Sequence, residues 1–183
     1  MAEKMTTPSS LPTESTAKAM LQGAIGQIRF ARDYTLELLD ATPEEMWWTI
    51  PDGLPSNIAW QAGHLTVSQY GLLMFRIRGR KPEDLELIPG KFRKAYGRGS
   101  KPRTDLDGQP TPSEFYERME QVFDQGLDAI REATLETLLE PVEMPYAAYP
   151  IKLGAILFCP LHEQIHAGQI GLIRRALGLE SIR

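Results

Sequence analysis

Several things are scarce in this chain of 183 residues, and each scarcity excludes something. There is one cysteine, Cys159, so no disulfide can close within the chain. A disulfide-stapled secreted domain is excluded, and a reducing cytoplasm is the expected compartment. Long apolar runs are missing: none approaches the ~20 residues that span a bilayer. The opening MAEKMTTPSSLPTEST has no apolar signal core either, which disfavours membrane insertion and secretion. Excess positive charge is also missing. Lys and Arg number 20 against 24 Asp and Glu, a net charge of −4, so the chain lacks the overall field of a nucleic-acid binder. Internal repeats and convincing strands are absent. What remains is ordinary: 42% hydrophobic residues, enough for a real core. The expectation is a flexible lead-in over residues 1–16 and a single domain over 17–180.

The periodicity is helical. Ala24, Ile28, Ala31, Thr35 and Leu38 recur at steps of three and four, one face of a first helix. Asn57 reads as the N-cap of a second helix over roughly 58–79, apolar on more than one side. Thr111-Pro112-Ser113-Glu114 opens a third with a cap, a proline at N1 and a glutamate at N3. A fourth runs over about 151–177 to a terminal Gly178, with Pro160 inside it expected to kink it. Between the second and third lies a connection of about 30 residues, 80–110, rich in Pro and Gly. Four long helices and no strand predict an all-α four-helix bundle. The long connection is read as a crossover that leaves the second and third helices parallel.

The three histidines, His64, His162 and His166, all fall in these helices. A spacing of four puts His162 and His166 on one helix face, a two-toothed grip for a metal. Three separately buried imidazoles would need partners for up to six ring nitrogens; a divalent ion, zinc or nickel, would satisfy three at once. The string His162-Glu163-Gln164-Ile165-His166 also matches the H-E-x-x-H of zinc peptidases. No further histidine follows it, and the edge strand of such peptidases is missing, so Glu163 is read as an outer-face carboxylate or a group near the metal. Cys159, three residues before His162, is either a fourth ligand or nucleophile or a small buried apolar residue. Gln169, three past His166, bonds a metal water or imidazole, or makes an interhelical contact. The run 91–103 holds Lys91, Arg93, Lys94, Arg98, Lys101 and Arg103 with no acid among them. It is a solvated loop, or a lid over the metal pocket that meets an anionic ligand.

The segments Asn57-Ile-Ala-Trp-Gln-Ala-Gly-His64-Leu65 and His162-Glu-Gln-Ile-His166-Ala-Gly-Gln169-Ile170 together resemble the DinB/YfiT-like metalloenzyme family. The resemblance runs from Ala19 to Gly178. It implies a helical bundle in which His64, His162 and His166 bind a divalent metal, and a homodimer. It also implies a metal-dependent transferase acting with a low-molecular-weight thiol on a small-molecule substrate. The alternatives are a metal-dependent hydrolase, or a non-catalytic metal-binding stress-response protein. Ala167 departs from the family, which often has a histidine or arginine there.

Overall fold

The computed structural model describes residues 11–143 and 146–182. Of the lead-in expected over 1–16, residues 1–10 lie outside the described residues. The first helix, α1 (Glu14–Asp40), starts slightly earlier than periodicity indicates, because the Thr13 side chain accepts the Thr16 N–H and caps it. A short 3-10 turn, Glu44–Met46, follows. In α2 (Ile58–Gln69) the Asn57 side chain accepts the Trp60 N–H at 2.9 Å. The helix then widens into a π-turn, Tyr70–Phe75, and closes as α3 (Arg76–Arg78) at Gly79, whose φ of 77° suits only glycine.

The connection 80–110 is not structureless. It forms α4 (Asp84–Leu87) and α5 (Gly90–Tyr96). The next long helix, α6 (Pro112–Glu132), has the capping box anticipated at Thr111 and Glu114. A short α7 (Leu135–Leu139) precedes α8 (Lys152–Ala176). α8 continues through Pro160, whose ring nitrogen has no hydrogen to give the Ile156 carbonyl. It ends in a Schellman motif: Gly178 N–H reaches the Arg175 carbonyl and Leu179 N–H the Arg174 carbonyl. Among the described residues there is no strand, only an isolated antiparallel bridge between Pro141 and Ile151. The fold is all-α.

Two clusters of buried side chains fix how the long helices run. One holds Leu38 and Leu39 from the end of α1, Ile58 to Leu65 from the start of α2, Phe115 and Met119 from the start of α6, and Ile170 and Ile173 from the end of α8. The other holds the opposite halves: Ala24 and Ile28, Leu73 and Ile77, Leu127 and Ile130, Leu153 and Ile156. So α1 and α8 run one way, and α2 and α6 the other. Individual contacts agree. Arg32 bonds Glu163 and Arg174 bonds Thr42, stepping forward along α1 and α8 together. Arg32 also bridges Gln69 and the Met119 carbonyl, and Gly126 sits against Leu73, stepping forward along α2 and α6. The connection 80–110 therefore returns the chain to the end where α2 began.

That return is anchored at both ends. Asp84 is 1% exposed and accepts from both Arg78 terminal nitrogens, the Tyr70 hydroxyl and the Lys81 N–H. Burial pushes its pKa up, but these donors outweigh it and hold the carboxyl at about 2. Further on, Phe92 and Tyr96 of α5 pack on Phe115. The Tyr96 ring lies flat against Gly63, where a Cβ would collide with it. A tyrosine docked on a glycine brings α5 onto the face of α2 that carries His64.

Candidate metal centre

His64 projects from α2; His162 and His166 project from one face of α8, one turn apart. The three offer ring nitrogens that all lie within 4.8 Å of one another. Their ring centroids are 4.5 to 5.4 Å apart. His64 and His166 are each 8% exposed, and His162 is half-buried.

Neighbours decide which nitrogen two of the rings present. His64 Nδ1 is 2.9 Å from the Tyr96 carbonyl. A carbonyl only accepts, so Nδ1 carries the proton and Nε2 keeps its lone pair. The Ser68 hydroxyl lies 3.3 Å from that Nε2. His166 Nδ1 is 2.5 Å from Gln61 Oε1, and Gln61 Nε2 donates to the Ser56 hydroxyl at 2.9 Å. His166 is thereby held in the same tautomer. The Trp60 ring stacks on His64 at 4.7 Å with 6° between planes, and Phe158 flanks His162.

All three imidazoles are biased to neutrality. Burial lowers the His64 pKa, partly opposed by its bond to the Tyr96 carbonyl. Burial, reinforced by His64, takes His162 down to about 4. Burial, with both neighbouring histidines adding to it, takes His166 down to about 3. Neutral imidazoles with inward lone pairs are the protonation state a metal requires. The donor set thus fits a divalent ion, and the three-histidine group could hold one.

The other residues singled out from the sequence lie around the triad in different ways. Glu163 turns away from it: the carboxylate is 2% exposed and bonds Arg32 of α1 at 2.7 Å. Cys159 is 2% exposed within the second apolar cluster, and its pKa is raised by burial first and the Glu163 charge second. Gln169 is exposed, and its amide works against the lowering of the His166 pKa. Gln61, Ser68 and the Tyr96 carbonyl are the contacts sequence reasoning missed. Gln61 had a signal, a polar residue one turn before His64 on a helix apolar all round.

A cavity of about 420 Å³ opens beside the triad, bordered by His64, His162, Ser68 and Phe158. Arg76 and Arg98 also border it. Tyr146 positions both: its carbonyl accepts from Arg76 at 2.7 Å, and its ring lies 5.1 Å from the Arg98 guanidinium carbon. The basic run divides here. Arg98 faces this cavity, Arg93 lines a smaller one with Tyr70 and Arg80, and Lys91, Lys94, Lys101 and Arg103 line another. Among the described residues no helix is long and apolar enough to cross a membrane.

Residues 27–170 match the family model of the DinB superfamily. A comparison with curated proteins finds no match.

Proposed function

For a chain that belongs to the DinB superfamily, we propose a metal-dependent transferase that uses a small anionic thiol as cosubstrate, with His64, His162 and His166 as the metal ligands. The observation that carries this reading is the pairing of three neutral, inward-facing imidazoles with a cavity of about 420 Å³ that also presents two guanidinium groups. A divalent ion held by three histidines supplies a Lewis acid that eases loss of a thiol proton.

The protein's own residues supply the rest. The Tyr96 carbonyl and the Gln61 amide fix the rings, so little reorganisation is needed when a ligand arrives. Arg76 and Arg98 would meet the carboxylates of the thiol, a charge-assisted contact suited to a guanidinium. Phe75, Leu72 and Phe158 give the cavity an apolar wall that limits water. Ser68, beside His64 Nε2, is placed to donate a hydrogen bond to a bound oxygen or sulfur. A closed structural site would leave no such space, and the open cavity favours catalysis over a purely structural role.

We also read the molecule as a homodimer. Leu161, Ile165 and Leu172 are exposed along one face of α8, with Gly168 between them opening onto free space. That apolar stripe suits a second copy.

The test is titration of metal-stripped protein with zinc and with nickel, followed by turnover of glutathione with an electrophilic aryl chloride. Expected are one ion per chain, loss of binding in His64→Ala, His162→Ala and His166→Ala, and a raised KM for glutathione in Arg98→Ala. Undiminished metal affinity in His64→Ala would overturn the site. Metal binding with no thiol turnover would leave the site and overturn the reaction.

A further inference from the structure

Trp60 borders a second cavity, of about 600 Å³, that none of the three histidines lines. Its apolar wall is Trp48, Trp60 and Phe92. Five cations surround it: Lys91, Lys94, Lys101, Arg103 and Arg118. Among the described residues no aspartate or glutamate lines it, in a chain whose net charge is −4. The local charge is therefore opposite in sign to that of the whole molecule.

Two of the cations are already engaged. Arg103 pairs with Asp105. Arg118 donates to the Glu86 and Leu87 carbonyls and lies 5.1 Å over the Phe92 ring. Lys91, Lys94 and Lys101 are exposed and make no ion pair among the described residues. Cations gathered around a concave apolar wall focus a positive potential into it. Aromatic faces beside them offer a surface for a flat ring. The volume is that of a small-molecule pocket, roughly 300–1,000 Å³, too small for an extended polymer.

We propose that this cavity is a second ligand site, separate from the one beside the histidines, and that it binds a small flat organic anion. The ligand class is an aromatic ring carrying phosphate or carboxylate groups. The ring lies against the partly exposed Trp48 and Trp60, with Phe92 behind them under Arg118, and the anionic oxygens meet Lys94 and Lys101. The basic run of the sequence thus serves two sites: Arg98 at one, the lysines at the other.

The experiment is a calorimetric titration of the metal-free full chain with 1-naphthyl phosphate at low salt. One site is expected, with affinity that falls as salt is added. Uncharged 1-naphthol should bind about tenfold more weakly or worse. Lys94→Glu with Lys101→Glu should lower affinity about tenfold or more, and the milder Lys94→Ala with Lys101→Ala should lower it less. Both pairs are exposed, and unchanged thermal melting will establish that the fold is intact. Arg98→Ala and His162→Ala should leave the naphthyl phosphate affinity unaltered, so the result is independent of the metal reading. No binding by the unaltered protein would overturn the proposal. So would equal binding by the lysine variants, loss of binding in Arg98→Ala, or tighter binding of a single-stranded oligonucleotide.

Discussion

A backbone carbonyl and a side-chain amide set the chemistry of the histidines. With Nδ1 of His64 and His166 committed to Tyr96 and Gln61, both rings turn Nε2 inward. Replacing Gln61 with leucine should therefore weaken zinc binding about 10–100-fold while α2 stays helical; calorimetry and circular dichroism will check both. Protonation gives a second prediction. Burial holds the pKa values of the folded triad below the usual histidine value of 6.5, His162 at about 4 and His166 at about 3. Between 6.5 and that range the unfolded chain takes up protons that the folded one refuses. The metal-free protein should lose thermal stability as pH falls through this window. Histidine-to-phenylalanine replacement at 162 and 166 should flatten the slope, and melts from pH 7 to pH 4 will show whether it does. At this scale the sequence was informative about which histidines meet and silent about their supports. A spacing of four marks His162 and His166 in any helix, but a main-chain carbonyl from 32 residues away carries no side-chain signature.

The long helices were legible because their ends carry chemistry: Asn57, Thr111 with Glu114, and Gly178 each did what their types suggest. α4, α5 and the π-turn were not. Helices of four and seven residues are too short to stand on their own hydrogen bonds; α5 exists because Phe92 and Tyr96 find Phe115 and Gly63. The π-turn places Leu72, Leu73 and Met74 all in the core, a consequence of packing rather than of a local motif. Gly63→Ala tests the α5 docking. The added methyl meets the Tyr96 ring, with an expected cost of about 1–3 kcal/mol and weaker zinc binding as the Tyr96 carbonyl shifts. Gly23, inside α1 with open space where a Cβ would sit, is the control. Gly23→Ala should stabilise by about 0.5–1 kcal/mol. Urea denaturation of the two variants will establish the opposite signs.

Across the whole molecule, Arg32 and Glu163 join α1 to α8 by a buried ion pair, the side chains 4% and 2% exposed. Glu163→Ala strands the guanidinium and should cost about 3–5 kcal/mol. Arg32→Met combined with Glu163→Leu should cost much less, and comparison of the three unfolding curves separates the charge from the packing. The apolar stripe on α8 makes a further demand. Ile165→Lys should convert a sedimenting dimer to a monomer, and a monomeric unaltered protein would refute the dimer. The pairing of α1 with α8 also bears on how the protein is made. The two are parallel, and Arg32 and Glu163 are 131 residues apart in the chain. Synthesis delivers α1 before α8, and the apolar face of α1 has no α8 to lie against until the helices between them have been made. His64 likewise waits for both of its companions. Any ion the triad takes is taken by a chain already translated past His166. Until then α1 is the surface that chaperones, or neighbouring nascent chains, will meet.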